Sequence, residues 1–241
     1  MKSIFSAQSK FHPILLDAIE LIKSRINSLP DVESLDFDPK LCEIYGKLDN
    51  EDLFIVNEFF QAKGFRKIHL EVAQLGKSLQ ILHCVFFPNP CFELPIFGVD
   101  LVISSNKISA AIVDLSPVGE QMDHLLITQM ESLEVPKFKE PRILPDWGYI
   151  FSPYVCFIRP VDLCEQKSFL KLIDEYLLVL QVLLISVKID EYNSLDTINR
   201  FKYQKLYCSN QKRNDKTRSI LTRFFGSSWA DEYINKILFE C

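Results

Sequence analysis

Three stretches of the sequence carry titratable side chains where apolar ones would be expected. Phe65 to Ala73 alternates Ile68, Leu70 and Val72 with His69 and Glu71, so in an extended strand the histidine and the carboxylate project from one face. Leu79 to Phe87 is almost wholly apolar apart from His83, which lies between Ile81 and Val85, and Pro95 to Ile103 carries Asp100 between Val99 and Leu101. Burying even an uncharged polar group without a partner costs about 2–7 kcal/mol, so an acid in such a strand calls for a partner or a ligand. Taken singly, His69 with Glu71 reads equally well as a surface pair, and His83 with Asp100 as a mutually satisfied buried pair. Together, three consecutive strands each supplying a titratable group point to a common pocket. Desolvation raises the pKa of a carboxylic acid and lets it hold a proton near neutral pH, as a proton donor must.

Other chemistries fail on spacing. His69-Leu70-Glu71 and Pro90-Cys91 match two halves of a zinc deaminase signature, but Cys91 is followed by Phe92, Glu93 and Leu94, so the second thiolate ligand is missing. There is no glycine-rich dinucleotide fingerprint, no P-loop and no nucleophile elbow. A redox enzyme built on this chain takes its electrons from elsewhere.

The elements that must position these groups follow from periodicity. His12 to Leu29 has apolar residues at helical spacing, with Ile14, Leu15, Ala18, Ile19, Ile22 and Ile26 forming one stripe. From Leu41 to Ser116, short runs rich in Phe, Ile, Val and Leu are separated by the turn-forming pairs Asp49-Asn50, Lys63-Gly64, Gly76-Lys77 and Asn106-Lys107, which predicts successive antiparallel strands. A helical pattern returns over Met122 to Leu133, Trp147 to Arg159 reads as extended, and helices follow from Leu163, one of them running to about Val187 and the last opened by Ser228. Helix, strand block and helices in that order predict an α/β fold, a three-layer α/β/α sandwich with a central, mainly antiparallel sheet, in a single domain over residues 1–241.

Composition sets outer bounds. Nineteen Phe against seven Gly in 241 residues indicate a packed interior. The seven cysteines (Cys42, Cys84, Cys91, Cys156, Cys164, Cys208, Cys241) form no CxxC pair, so neither a disulfide framework nor a four-thiolate zinc site reads from their spacing, and a reducing compartment fits best. Met1 to Lys10 does not read as a secretory leader, and the apolar run Tyr176 to Val187 is too short to span a bilayer. Net charge is −5, yet Arg200, Lys202, Lys205, Lys212, Arg213, Lys216, Arg218 and Arg223 stand against Asp215 alone between positions 200 and 223. Such asymmetry suits an anionic partner on one face, with a solvated helix surface as the plainer reading. Nucleic acid is disfavoured, because the chain as a whole is acidic and has no recognised binding module.

Longer segments carry a resemblance. Lys67-Ile68-His69-Leu70-Glu71-Val72-Ala73, Leu82-His83-Cys84-Val85-Phe86-Phe87-Pro88 and Leu94-Pro95-Ile96-Phe97-Gly98-Val99-Asp100 resemble the ferredoxin-dependent bilin reductases. So do Ser109 to Pro117, Trp147-Gly148 with Ile150-Phe151-Ser152, Phe157-Ile158-Arg159-Pro160 and Asn214-Asp215-Lys216-Thr217-Arg218, in family order, so that the resemblance spans roughly Leu41 to Phe239. It implies an α/β/α sandwich that binds biliverdin IXα between sheet and C-terminal helices. The implied reaction is a four-electron reduction to phycocyanobilin through bilin radicals, D-ring vinyl first and A-ring second, with reduced ferredoxin as external donor and no cofactor or metal bound by the enzyme.

The same resemblance assigns roles. Asp100 matches the central proton donor, His83 the histidine that shares its proton, Glu71 the acid beside the vinyl group and His69 a relay next to Glu71. Arg142 and Lys216 match positions facing the propionates, Asn214 a polar residue at the solvent side, and Ser109 a pocket residue. Ferredoxin is expected to dock on the basic surface that includes Lys212, Arg213, Lys216 and Arg218. A cytoplasmic monomer, without membrane or nucleic-acid partner, completes the expectation. Two alternatives stay open: a reductase of other regiochemistry, making phycoerythrobilin or 15,16-dihydrobiliverdin, and a non-catalytic bilin carrier.

Overall fold

Alternation of apolar and polar positions, interrupted by turns, produces a single antiparallel sheet with helices on both faces. The computed structural model describes residues 11–48 and 50–240; the readings of Met1 to Lys10, of Asp49 in its turn and of Cys241 lie outside the described residues. After helix α1 (Pro13–Asn27) come β1 (Glu33–Ser34), the short α2 (Pro39–Cys42), β2 (Glu43–Leu48), β3 (Glu51–Ala62), β4 (Phe65–Leu75), β5 (Leu79–Pro88), β6 (Ile96–Ser104) and β7 (Lys107–Ser116). Then follow α3 (His124–Glu131), β8 (Cys156–Ile158), α4 (Leu163–Ser186), α5 (Leu195–Gln211), α6 (Asp215–Phe225), α7 (Ser227–Tyr233) and a π-helical segment Ile234–Leu238. The strand order is β1-β3-β4-β5-β6-β7-β8, with β2 also on β3, and every pairing is antiparallel.

The expected turns close the hairpins. Asn50, Gly64, Gly76 and Asn106 all take positive φ, the region in which Gly and Asn meet least steric resistance. At Gly64 close approach adds to the requirement, since a Cβ there would come within 2.6 Å of Leu184 Cδ1 and 2.9 Å of Leu94 Cδ1.

Period-two alternation then divides the sheet into two faces. Ile68, Leu70, Val72, Leu82, Cys84, Val99 and Leu101 are buried against the α1 stripe and against Phe169, Leu172, Ile173 and Tyr176 of α4. The other face offers Ile55, Phe59, Val85 and Phe87 to Tyr207, Leu221, Tyr233, Ile234 and Ile237 of the C-terminal helices. Each fully buried Leu, Ile or Phe contributes about 1.5–3 kcal/mol, so both layers are held firmly to the sheet. The three-layer α/β/α sandwich is the observed architecture.

Two local expectations change. Of Trp147 to Arg159 only Cys156–Ile158 joins the sheet, and Gly148–Ile150 is a 3₁₀ turn. The Ser152 backbone N–H donates to Asp114 at 2.9 Å and Pro153 has no N–H, so the segment cannot ladder earlier. Cys208 is disulfide-bonded, whereas Cys42, Cys84, Cys91, Cys156 and Cys164 are free thiols; a bond brought about by tertiary packing leaves no sign in local spacing. Among the described residues no helix is long and apolar enough to cross a membrane.

Candidate active site

Sheet register does the first assembly. Asn57 of β3 pairs with Glu71 of β4, Glu71 with His83 of β5, and His83 with Asp100 of β6, so four polar side chains form one row across the face beneath the C-terminal helices. His69 lies in the next row, paired with Phe59 and Val85. The structure thus brings together the four residues that the sequence put forward for proton chemistry.

Within the row the bonds are specific. His83 Nδ1 and Asp100 Oδ1 are 2.6 Å apart, while His83 Nε2 is buried with no partner among the described residues. Burial works against the charged imidazole of His83, but the Asp100 carboxylate, through its charge and its hydrogen bond, and Glu71 behind it outweigh that, and the pKa stands above the ordinary histidine value. The Asp100 side chain is 42% exposed and forms the open end of the row, whereas His69 and Glu71 are buried. A proton held between Asp100 and His83 can therefore pass to a molecule lying on the face.

The other end is a closed network. Asn57 Nδ2 donates to the Leu41 carbonyl at 2.6 Å, which turns Asn57 Oδ1 toward His69 Nε2 at 2.8 Å and the Tyr233 hydroxyl at 2.9 Å. Oδ1 can only accept, so the His69 proton sits on Nε2, and the buried Nδ1 is a bare acceptor without a partner among the described residues. Burial, reinforced by His83 and Lys67, holds His69 well below the usual histidine range, so the ring is neutral. Phe59 stacks on it at 4.6 Å, and Phe37 on Phe59 at 4.1 Å.

Tyr233 has one proton for two acceptors, since Glu71 Oε2 lies 2.7 Å from its hydroxyl. Burial raises the Glu71 pKa, with His83 and the Tyr233 bond acting against the rise and Asp100 adding to it. When protonated, Glu71 donates to Tyr233, which donates to Asn57; once Glu71 has given up its proton, the tyrosine hydrogen turns back to the carboxylate. The arrangement lets Glu71 deliver a proton without leaving a bare charge in the core.

Sequence reasoning missed three members of this face. Asn57 is an amide set with Glu58 between the apolar residues Phe54-Ile55-Val56 and Phe59-Phe60, which was a readable sign. Lys67 shares the strand parity of His69 and Glu71, and its side chain is only 4% exposed. Burial draws Lys67 from 10.5 down to about 8, a cost to the fold of about 3 kcal/mol at neutral pH compared with an exposed lysine. Tyr233 is 162 residues from Glu71, and nothing local announces it.

The remaining expected residues fall into two groups away from the row. Arg142 donates to the Ser109 carbonyl and lies over the Phe157 ring at 5.2 Å, while the Ser109 hydroxyl donates to the Val102 carbonyl at 3.0 Å, where β6 and β7 shift register. Asn214 caps α6, accepting from Lys216 N at 3.2 Å and Thr217 N at 3.5 Å, and Lys216 is exposed. An open groove of about 550 Å³ between Pro145, Asp146 and Trp147 on one side and Arg213 and Asp215 on the other lies at the start of α6.

The basic surface is smaller than the sequence count. Arg200 is buried and paired with Asp190 at 2.7 Å and Glu93 at 3.6 Å, and Arg218 is ion-paired with Asp231. Lys202, Lys205, Arg213, Lys216 and Arg223 remain exposed, and Lys212 is half-buried.

Comparison with known proteins bears on what this face does. The family model described as "Ferredoxin-dependent bilin reductase" matches residues 19–240. The chain is 46% identical over 237 residues to a phycocyanobilin:ferredoxin oxidoreductase of Prochlorococcus marinus, covering 98% of this chain and 96% of that one. It is 49% identical over 229 residues to the protein of the same name from strain MIT 9303 of that organism, covering 95% and 87%. Among solved structures, the fold is similar to tomato phytochromobilin synthase in complex with biliverdin, with a TM-score of 0.73 at 18% identity over 94% of this chain and 81% of that one.

Proposed function

The chain belongs to the ferredoxin-dependent bilin reductase family, and from that premise we propose that it reduces biliverdin IXα to phycocyanobilin. Four electrons arrive one at a time from reduced ferredoxin and four protons come from the face built by β4, β5 and β6. The observation that carries the reading is the in-register row Glu71, His83 and Asp100, joined by a 2.6 Å bond at its open end and closed by Tyr233 at the other. The names of relatives at 46% and 49% identity support the product.

In this reading biliverdin lies between the sheet and the C-terminal helices. Asp100 and His83 share the proton that primes the tetrapyrrole for its first electron, and Glu71, with His69 and Tyr233 behind it, protonates the D-ring vinyl carbon before the A-ring is reduced. Each electron makes a bilin radical that the next proton and electron quench, so conjugation in the substrate carries the electronic work and needs no flavin, haem or metal of the enzyme's own. Arg142 and Lys216 bind the propionates by charge-assisted hydrogen bonds, with Asn214 at the solvent side and Ser109 lining the pocket. Acidic ferredoxin docks on the surface of Lys212, Arg213 and Lys216.

Anaerobic turnover of biliverdin with reduced ferredoxin, followed by chromatographic identification of the product, tests this. Phycocyanobilin is expected. A reduced bilin with its D-ring vinyl intact would remove Glu71 from the assignment, and bound, unreduced biliverdin would make the protein a carrier.

A further inference from the structure

The buried ammonium of Lys67 points away from the row and toward the C-terminal segment. It donates to the Ile237 carbonyl at 2.8 Å, lies 3.5 Å from Glu240 Oε2, and sits over the rings of Phe37 and Phe59, 5.6 Å from each centroid. Its neighbour Arg66 reaches the Glu240 carbonyl at 3.4 Å. The segment fastened in this way follows directly on Tyr233, which bonds Glu71, and carries Phe239, whose ring packs edge-on against His83 at 5.8 Å. The π-helical bond from Phe239 N to Ile234 O, 3.1 Å, belongs to the same segment, and insertions of this type recur at functional sites.

We propose that Lys67 is a positioning residue for proton delivery: it clamps the C-terminal segment so that Tyr233 and Phe239 stay on Glu71 and His83, and its positive charge lies close enough to act on the rings of His69 and His83. The charged groups around it are Glu240 on the clamped segment, which favours its charge, and Arg66 on its own strand, which opposes it; His69 and His83 are the titratable rings that feel it. A methionine would fill the same channel between Phe37 and Phe59 without the burial penalty. That the fold bears this penalty at a residue bonded to the site's cover distinguishes Lys67 from an ordinary packing position. The proposal rests on the bilin reductase reading for its turnover readout and on biliverdin binding for its spectral one.

Lys67→Met and Lys67→Arg in the full chain test it by three measurements: thermal unfolding, the pH dependence of the absorbance of bound biliverdin, and steady-state turnover with ferredoxin. Because the folded pKa of Lys67 lies below its unfolded value, wild-type stability rises with pH between about 8 and 10.5. The Met variant is therefore expected to melt several degrees higher at pH 7, with the gap narrowing above pH 8. Its kcat should fall roughly ten- to a hundredfold with a smaller change in KM for biliverdin. Loss of the positive charge should move the pH midpoint of the bound-biliverdin band upward, and Lys67→Arg should recover kcat. A Met variant that unfolds, or one with wild-type kcat and an unmoved midpoint, overturns the proposal. Wild-type protein that binds biliverdin without reducing it sinks the reductase reading, while the midpoint still decides Lys67.

Discussion

Asp100 differs from its neighbours in having one side in the core and one side open. Asp100→Asn keeps the shape and the contact with His83 but removes the acid, so we expect biliverdin to bind and turnover to fall by about 10²–10⁴-fold, measured as product per enzyme under anaerobic reduction. Wild-type turnover would strike Asp100 from the proton path. At the closed end, Tyr233→Phe deletes the hydroxyl shared by Asn57 and Glu71 and leaves a buried carboxyl without that partner. Denaturant unfolding should report a loss of about 1–3 kcal/mol, and chromatography a product mixture richer in bilins that retain the vinyl group. The acids and histidines were legible because a polar residue in an apolar strand stands out at period two. Tyr233 was not, since its only mark is a contact made by folding, and Lys67 was hidden by the ordinary expectation that a lysine faces water.

Among the elements, the strand block and its turns were legible in the sequence because turn chemistry and alternation agree there. The segment after Pro145 was not, because its backbone follows a buried carboxylate. Asp114 accepts from Ser116 Oγ, Ser152 N and Ser152 Oγ, and anchors the loop bearing Trp147 and Phe151 against the site face. Burial lifts this acid from 3.8 to about 6 against the pull of those bonds. The folded state therefore holds the proton more tightly than the unfolded chain, and the contribution of Asp114 falls by about 3 kcal/mol as pH rises from 3.8 to 6. Urea titrations of wild type and Asp114→Asn across that window should diverge by this amount, and parallel curves would refute the assignment. At the β3–β4 turn, Gly64→Ala combines positive φ with a clash on Leu184 and Leu94, so a loss of about 1–3 kcal/mol is expected in the same assay.

Across the whole molecule, charge is distributed less simply than a count of basic residues suggests. Pairing of Arg200 in the interior and of Arg218 with Asp231 at the surface leaves Arg213 and Lys216, with Lys212 beside them, as the cations available near the groove at the start of α6. Reversing two of them, Arg213→Glu with Lys216→Glu, should raise the apparent KM for ferredoxin and flatten its dependence on ionic strength in stopped-flow association, whereas Arg200→Glu should unfold the protein instead of altering docking. An unchanged salt response in the double variant would place docking elsewhere. The global fold was readable from element order and from family-like segments. Which charges are spent internally was not, since pairing across 10 to 107 positions has no local signature. The clamp between Lys67 and Ile237, 170 positions apart, also has a bearing on biogenesis. During synthesis β4 to β6 leave the ribosome long before the segment that covers them, so the face that carries the row waits uncovered in the nascent chain and can mature only once Tyr233 to Phe239 have emerged. A chain stalled short of α7 would therefore have every titratable residue of the row and still lack a working site.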